Sequence, residues 1–262
     1  MCKDCGCQDA LHDKLAHHHH HHHHDHHGDH THSHDHSAGG SRTLTVEQNV
    51  LQKNDDIAHS NWHWLDDHKV VTLNMMSSPG AGKTALLEAT LERLKERIEI
   101  SVLVGDQQTD NDARRLQTQG VKVKQINTHS SCHLDAAMIQ KELGGFVSGS
   151  EDLLIIENVG NLVCPAAFDL GEKQKVALLC VTEGEDKPAK YPVLFHDADI
   201  ILISKTDLVP HLDWSREKAI QYIRQVNAEA EIIELSARTG AGMDSWCDYL
   251  LRIAAPATKS AA

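Results

Sequence analysis

The chain has 262 residues and a formal net charge of −13 at pH 7, which allows one well-buried domain with some length left over. The acidic balance argues against a nucleic-acid partner, because phosphate binding needs a basic face. No apolar run reaches membrane-spanning length, and the first residues do not resemble a secretory signal. We therefore expect a cytoplasmic protein that does not bind membranes.

The first part of the chain differs in composition from the rest. Residues 12–36 are mostly His, Asp, Gly, Ser and Thr, with almost nothing apolar to bury. Such a segment cannot offset the entropy of ordering its backbone, which predicts disorder. The expected organisation is a disordered metal-binding tail over 1–42, a helical lead-in over 43–69, a nucleotide-binding domain over 70–255 and a disordered C-terminus over 256–262.

Apolar runs of strand length alternate with amphipathic stretches along the predicted domain. Near-continuous apolar strands separated by helices predict an α/β fold, in which a mostly parallel sheet is covered by helices on both faces. An upstream helix would pack on this core from outside, through Val46, Val50, Leu51, Ile57 and Ala58. In chain order, the predicted strands are 70–75, 100–104, 121–126, 153–156, 176–181, 200–203 and 232–235. The predicted helices are 85–94, 112–119, 134–143, 215–226 and 244–253.

Three of the seven cysteines, Cys2, Cys5 and Cys7, lie at the start of the chain. In a reducing compartment we expect thiols rather than disulfides. Three thiolates within six residues can wrap one soft or borderline cation. If Met1 is removed, the amine of Cys2 becomes a candidate fourth ligand, which would suit square-planar nickel.

A histidine tract follows the terminal cysteines. Dense imidazoles in a flexible chain bind several divalent ions with modest selectivity, which suits weak storage of nickel. A purification tag is the alternative, but tags are usually uniform runs, and this tract mixes His with Asp, Gly, Ser and Thr. The predicted storage ligands are His17, His18, His19, His20, His21, His22, His23, His24, His26, His27, His30, His32, His34 and His36.

The motif SSPGAGKT lies between the first predicted strand and a helix, which is the context that a P-loop requires. Ser77 stands where the first glycine is usual. The glycine-rich backbone and the helix N-terminus favour phosphate, Lys83 would reach the β and γ phosphates, and Thr84 would ligate Mg²⁺. A glycine-rich turn without a ligand is the alternative. The predicted phosphate-binding residues are Ser78, Gly80, Ala81, Gly82, Lys83 and Thr84.

Two further segments supply candidates for hydrolysis. Asp106 ends the second predicted strand, at the edge where open α/β sheets bind ligands, and is a candidate Mg²⁺-side carboxylate. Asp110 is interpreted as the N-cap of the next helix. The sequence ENVG resembles an Asp-x-x-Gly switch, in which Glu157 would hold Mg²⁺ through water and Gly160 would sense the γ phosphate. The predicted catalytic residues are Lys83, Asp106 and Glu157.

Adjacent Cys132 and His133, together with Cys164, are the candidate ligands of a second metal site. Three protein ligands leave one position open for exchange or for a ligand from a second subunit. Cys180 lies inside a predicted strand and Cys247 inside a predicted helix, so both are interpreted as packing residues.

Base recognition is expected late in the chain. The sequence SKTD resembles the guanine motif Asn-Lys-x-Asp, with Ser204 in place of Asn. The carboxylate of Asp207 can accept two hydrogen bonds from guanine, and Lys205 would lie along the base and brace the P-loop. A strand-end turn with a solvated Asp and Lys is the alternative. GTP is favoured over ATP because a loop resembling Ser-Ala-Lys follows, formed by Ser236, Ala237 and Arg238.

Together the segments CKDCGC, SSPGAGKT, GDQQT, SCHLDA and ENVGNLVCP and the histidine tract resemble the HypB family of hydrogenase nickel-incorporation GTPases. The resemblance spans nearly the whole chain. It implies GTP-dependent nickel delivery during NiFe-hydrogenase maturation, with a HypA-type chaperone and SlyD as partners and the hydrogenase large subunit reached indirectly. It also implies a GTP-dependent homodimer. It assigns Cys2, Cys5 and Cys7 to a terminal nickel site, and Cys132, His133 and Cys164 to a nickel or zinc site.

Two other functions share some of these sequence features. The urease accessory GTPase UreG carries a Cys-Pro-His metal motif, which this chain lacks. A nickel-storage protein with a secondary GTPase would suit the tail, but the P-loop, switch and base motifs favour an active enzyme. The expected mechanism is a switch, in which GTP and Mg²⁺ fix Glu157 and Gly160 and the change reaches Cys164. Metal affinity would then depend on the bound nucleotide.

Overall fold

The computed structural model describes residues 40–106, 111–128 and 131–254, with the backbone alone over 40–47. The terminal cysteines, the histidine tract, Asp110 and the C-terminal residues 256–262 lie outside these ranges. The predictions made for them stay predictions, as does the division of the chain into domains.

In the part of the chain that the structure describes, seven parallel strands form one sheet. They are β1 (Val71–Met76), β2 (Ile100–Asp106), β3 (Lys122–Asn127), β4 (Leu153–Glu157), β5 (Gln174–Cys180), β6 (Ile200–Ser204) and β7 (Glu231–Glu234). The strand order is β3-β2-β4-β1-β5-β6-β7. Every predicted strand is present, and the predicted α/β class is confirmed. Because all strands run the same way, their carboxyl ends meet at one edge, where such sheets bind ligands.

Helices cover the sheet. They are α1 (Gly40–Asp67), α2 (Lys83–Leu94), α3 (Asn111–Gln117), α4 (Ala136–Gln140), α5 (Cys164–Ala167), α6 (Lys187–Lys190), α7 (Pro192–His196), α8 (Arg216–Val226) and α9 (Met243–Ala254). Short 3-10 turns cover Val181–Glu183 and Thr206–His211. No helix in the described part of the chain is both long enough and apolar enough to cross a membrane.

The prediction of a helix over 134–143 was wrong in its extent. α4 begins two residues later, because Asp135 caps it by accepting a hydrogen bond from the backbone N–H of Met138 at 2.8 Å. It is followed by a turn in which Gly144 has a φ of 76°, a conformation that favours glycine. The helices α5, α6 and α7 were not predicted, although each has a proline in its first turn.

The core has two layers, one on each face of the sheet. Along β4, Leu153 and Ile155 pack with α2 and α9, whereas Leu154 and Ile156 face the other layer. This alternation is the period of two that a strand buried on both sides requires. Each fully buried side chain of this kind contributes about 1.5–3 kcal/mol to folding. The sheet is therefore a rigid platform for whatever lies at its carboxyl edge.

Helix α1 packs on the domain from outside, as predicted, and Leu51 and Ala58 take part in this packing, but the prediction was wrong for Val50, which is 53% exposed. The side chain of Asn61 donates hydrogen bonds to the carbonyls of Ala136 and Leu170, at 2.8 and 3.0 Å. Two turns earlier, Asn54 donates to the carbonyl of Asp169 at 2.8 Å and accepts from the N–H of Ala136 at 2.9 Å. Both asparagines are buried, so each such contact holds α1 in a defined register against the domain.

Candidate nucleotide and metal sites

The P-loop connects β1 to α2. Gly80 and Gly82 have φ values of 74° and 102°, in the left-handed region where a side chain is disfavoured. These two positions let the backbone curl before Lys83 begins the helix. The N–H groups of a loop in this conformation, together with the helix N-terminus, form a cradle for anions.

A serine holds the P-loop lysine. The Nζ of Lys83 donates to the Oγ of Ser77 at 2.8 Å, and that hydroxyl in turn donates to the carbonyl of Ser78 at 2.7 Å. Burial lowers the pKa of Lys83 below its usual value, while the nearby carboxylate of Glu157 acts in the opposite direction. The serine that replaces the usual first glycine therefore positions the candidate phosphate-binding lysine.

Thr84 and Glu157 form the candidate magnesium site. The Oγ1 of Thr84 donates to Oε1 of Glu157 at 2.7 Å, while Oε2 of Glu157 is buried with no hydrogen-bond partner among the described residues. Burial raises the pKa of Glu157 to about 7, although the Thr84 hydrogen bond and the Lys83 charge pull it down. Hydroxyl and carboxylate oxygens are the ligands that Mg²⁺ prefers, so these residues fit the ion.

A cavity of about 450 Å³ opens above these residues. Asp106, at the end of β2, lines it from the side. Gly160 lines it where the switch segment meets the P-loop, and a Cβ there would lie 3.0 Å from the Cα of Pro79. Glycine avoids this tight contact with the P-loop backbone. The cavity is also lined by Gly80, Gly82, Lys83, Thr84, Asp112, Arg115 and Glu157.

Two residues of the SKTD segment bind the P-loop. The Nζ of Lys205 donates to the carbonyl of Gly80 at 2.6 Å, which is the bracing contact expected for it. Its φ of 59° is unusual for a residue with a side chain. The Oγ of Ser204 donates to the carbonyl of Ala81 at 2.8 Å. The serine in place of the usual asparagine thus ties the end of β6 to the phosphate loop.

The two predicted base-binding segments lie side by side at the carboxyl ends of β6 and β7. Oδ1 of Asp207 accepts a hydrogen bond from the Oγ of Ser236 at 2.6 Å. That hydroxyl also accepts from the N–H of Thr239, which closes the loop containing Ala237 and Arg238. The contact orients the Asp207 carboxylate without using its second oxygen.

Cys132, His133 and Cys164 come together as the sequence predicted. Their ligand atoms all lie within 4.8 Å of one another, and within the described residues they are the one such group of three. The sulfurs of Cys132 and Cys164 are 2.7 Å apart, and Nδ1 of His133 is 3.9 Å from the Cys132 sulfur. Two thiolates and an imidazole are a donor set that suits zinc or nickel. We call these three residues the metal triad.

The environment of His133 favours the ligating form of its ring. The imidazole stacks on Phe168 with ring centroids 3.9 Å apart. Burial lowers the pKa of His133, with the charge of Asp135 acting against it. A neutral imidazole is what metal binding requires. Cys180 and Cys247 are buried in the core away from the triad, consistent with packing roles.

One buried side chain joins the two sites. Oδ1 of Asn158 accepts a hydrogen bond from the N–H of Leu134 at 3.2 Å. Its Nδ2 donates to Oδ1 of Asn74, on β1, at 3.1 Å. Asn158 follows Glu157 in the switch segment, residues 157–160, and Leu134 follows His133 in the loop that carries Cys132 and His133, here called the metal loop. This contact therefore connects the switch segment to the metal loop. The motif contained Asn158, but nothing in the sequence showed which backbone group it would bind.

Other contributors to the pocket were also missed. Ser77 and Ser204 were noted as departures from the usual motifs, but their hydrogen bonds were not foreseen. Glu183, in the 3-10 turn after β5, accepts a hydrogen bond from the hydroxyl of Ser78. No motif marks Glu183, since it reaches the P-loop only because β5 lies beside β1.

The parallel sheet, the P-loop after β1 and the base segments after β6 and β7 define a P-loop GTPase fold. A family model described as the CobW/HypB/UreG nucleotide-binding domain matches residues 71–234. The chain is 53% identical over 212 residues to the hydrogenase maturation factor HypB of Azotobacter vinelandii, which covers 81% of this chain and 70% of that relative. The chain therefore belongs to the CobW/HypB/UreG family, in its HypB branch of hydrogenase maturation factors.

Solved structures agree with this family. HypB from Archaeoglobus fulgidus is similar with a TM-score of 0.73 and 39% identity, covering 78% of this chain and 99% of the other. HypB from Helicobacter pylori, whose structure is a complex with nickel, has a TM-score of 0.72 and 37% identity, covering 77% and 95%. The fold and the family thus rest on sequence and structure together.

Proposed function

We propose that this protein is a GTP-hydrolysing nickel metallochaperone that stores nickel and delivers it during maturation of NiFe-hydrogenase. In this proposal, metal binding at the triad is coupled to the nucleotide state. The observation that carries it is the shared contact of Asn158, which follows Glu157 in the switch segment and binds the backbone beside His133. Membership of the HypB branch supports the hydrogenase role.

The P-loop and the switch segment would bind the phosphates and carry out hydrolysis. The backbone of Gly80, Ala81 and Gly82 would hold the phosphates, with Ser78 beside them and Lys83 compensating negative charge. Thr84 and Glu157 would hold Mg²⁺, with Asp106 on the same side. The ion, when bound, would neutralise charge that develops on the phosphates. The N–H of Gly160 would detect the γ phosphate.

Guanine would bind at the carboxyl ends of β6 and β7. Asp207 is held by Ser236 through one oxygen, and its carboxylate is the acceptor that N1–H and N2–H₂ of guanine require. Lys205, already bonded to the P-loop, would lie along the base. The backbone of Ser236, Ala237 and Arg238 would close over the guanine carbonyl.

A change from GDP to GTP would be transmitted to the metal triad through a few residues. A γ phosphate contact at Gly160 would displace the switch segment and with it Asn158, which is bonded to the metal loop. Cys164 follows Gly160 by four residues, so it would move as well. Thiolate ligation tolerates only about 0.2 Å of error in distance, so a small displacement would change the affinity.

Nickel is the cargo in this proposal, with zinc as the alternative occupant of the triad. Three ligands leave a coordination position for a transfer partner or a second subunit. The partners would be a HypA-type chaperone and SlyD, and nickel would reach the hydrogenase large subunit indirectly. GTP binding would favour a homodimer. A related structure in complex with nickel supports this choice of metal.

The test is a comparison of nickel affinity with GDP and with a non-hydrolysable GTP analogue. Cys2, Cys5 and Cys7 are first replaced by Ser, so that the thiolate–nickel absorption reports the triad alone. We expect the affinities to differ by about 5- to 150-fold, the usual range of allosteric coupling. Asn158→Ala should bring the ratio close to one.

Asn61→Ala is the matched control, because Asn61 is equally buried and binds α4 but does not contact the switch segment. It should leave the affinity ratio unchanged. Equal affinities in the two nucleotide states of the parent protein would contradict the coupling.

A further inference from the structure

Two histidines lie one turn apart on the exposed face of α1. Nε2 of His59 is 2.9 Å from Nε2 of His63, and both side chains are exposed to solvent. Residues four apart on a helix share a face, which explains why the rings meet. The opposite face of α1 packs on the domain through Asn54, Ala58, Asn61 and Leu65. The pair is thus presented outward by a helix whose other side is anchored.

The separation of the two nitrogens matches a particular coordination geometry. Metal–imidazole bonds are about 2.0–2.1 Å long, so two ligands at a right angle lie about 2.8–3.0 Å apart. At a tetrahedral angle the same bonds would place them about 3.3–3.4 Å apart. Without a metal, the two nitrogens share a hydrogen bond at 2.9 Å, and a cation with right-angled coordination would replace the shared proton without changing this separation. Square-planar and tetragonal sites are characteristic of nickel and copper, whereas zinc prefers tetrahedral sites.

The surroundings of the pair restrict its rings and favour a cation. The indole of Trp62 lies parallel to the His59 ring, with centroids 6.5 Å apart, and edge-on to the His63 ring at 5.0 Å. Asp55 and Asp67 are also exposed, one turn before His59 and one turn after His63. Neighbouring carboxylates raise the local concentration of cations.

We propose that His59 and His63 form a separate binding site for a divalent cation with right-angled coordination, nickel above all, in which water completes the ligand set. The site goes beyond the proposed function, because it belongs neither to the histidine tract nor to the metal triad. The tract ends at His36, four residues before α1 begins. Leu51, on the same helix, packs against the cluster that contains Cys164. The site therefore lies on the helix that connects the tail to the domain.

The test must distinguish this pair from the other histidines of the intact chain. Nickel sulfate is titrated into the full-length protein, and exposed imidazoles are then modified with diethyl pyrocarbonate and quantified individually by mass spectrometry. Nickel should protect His59 and His63 together. Half-protection should occur at a concentration about tenfold or more below that for His211, an exposed histidine after β6, because the second ligand binds intramolecularly.

Substitutions decide whether the pair acts as a unit. In His63→Gln, protection of His59 should weaken about tenfold, and in His59→Gln the same should hold for His63. His68→Gln is the matched control, since His68 is exposed near the end of α1 and stacks on Trp64 instead. It should leave protection of the pair unchanged. The site is refuted if nickel protects the pair no better than it protects His211. It is also refuted if His59 is protected equally in His63→Gln and in the parent protein, which is the result expected if only the tail holds nickel.

Discussion

The nucleotide pocket and the metal triad are neighbours, but they are held in different ways. The pocket residues lie at the carboxyl ends of strands, in the P-loop and in the first turn of α2, and they bind one another, as Lys83 does with Ser77 and Thr84 with Glu157. The triad residues lie in segments outside the sheet. Cys132 lies in the loop after β3, and Cys164 is the first residue of the four-residue helix α5.

The difference shows which of the two sites is able to respond. A pocket formed by strand ends has the rigidity of a packed core, whereas a site formed by loops follows the segments that anchor those loops. Asn158 is such an anchor, because it binds the metal loop from within the switch segment. We therefore expect changes in the pocket to affect hydrolysis strongly, and changes in the triad to affect metal affinity while sparing nucleotide binding.

The largest effect is expected from Lys83→Ala. Loss of a buried cation that faces the phosphates should lower the rate of GTP hydrolysis by about 10²–10³-fold, as loss of one transition-state donor does elsewhere. Nickel affinity of the triad in the GDP state should stay within about twofold of the parent. Steady-state phosphate release and nickel titration measure the two quantities. Lys95→Ala, an exposed lysine at the end of α2, is the control and should hydrolyse GTP normally.

The buried carboxyl of Glu157 should make stability depend on pH. Burial raises its pKa to about 7, from 4.5 in an unfolded chain. Between these pH values the folded state holds more protons than the unfolded state, so the free energy of unfolding should fall as pH rises. The full loss is about 3 kcal/mol, and it should be complete above about pH 7. Urea unfolding without Mg²⁺ or nucleotide, at pH 5 and pH 8, measures it.

Glu157→Gln should remove this slope. Glu151→Gln serves as the comparison, because burial acts to raise the pKa of Glu151, but the hydrogen bonds from Lys122 and from backbone N–H groups, together with the Lys122 charge, outweigh it and lower the pKa to about 2. The stability that Glu151 contributes is present above about pH 4.5 and is lost only in more acidic solution. A slope between pH 5 and 8 that is as steep in Glu157→Gln as in the parent would show that another group causes it.

Cys164→Ala tests the metal triad by removing one of its three proposed ligands. With one of three ligands gone, nickel affinity of the triad should fall by about 100-fold, the upper end of what even an outer-shell change costs. GTP affinity should be unchanged, because the side chain does not line the cavity above the P-loop. The control is Cys247→Ala, a buried cysteine of α9 outside the triad. A large loss of nucleotide affinity in Cys164→Ala would show that the two sites are not separable.

The smallest effect is expected from a change in the proposed guanine site. In Asp207→Asn, one acceptor of the carboxylate becomes a donor, so affinity for GTP should fall by about 10- to 100-fold and xanthosine triphosphate should be favoured. Competition between the two nucleotides measures the change. Asp213→Asn, an exposed acid in the same region, should leave the preference for guanine intact. An unchanged preference in Asp207→Asn would exclude Asp207 from guanine recognition.

Regular periodicity and short motifs predicted much of this molecule. All seven strands were found. The inner strands are apolar runs because both of their faces are buried, whereas the edge strands β3 and β7 are partly exposed and contain polar residues. The P-loop was recognisable because few residue types satisfy its backbone geometry. The helix α4 was predicted too long, since apolar periodicity continues past Gln140 whereas the backbone turns at Gly144.

The sequence by itself determined the fold class, the phosphate loop and the residue types able to bind a metal, because these depend on local patterns and on side-chain chemistry. Only the tertiary structure decided which groups meet. Asn158 binds the metal loop, Ser204 binds the P-loop and Glu183 reaches Ser78 because strands distant in the chain lie side by side in the sheet. Such contacts depend on the order of strands, and no local pattern encodes that order.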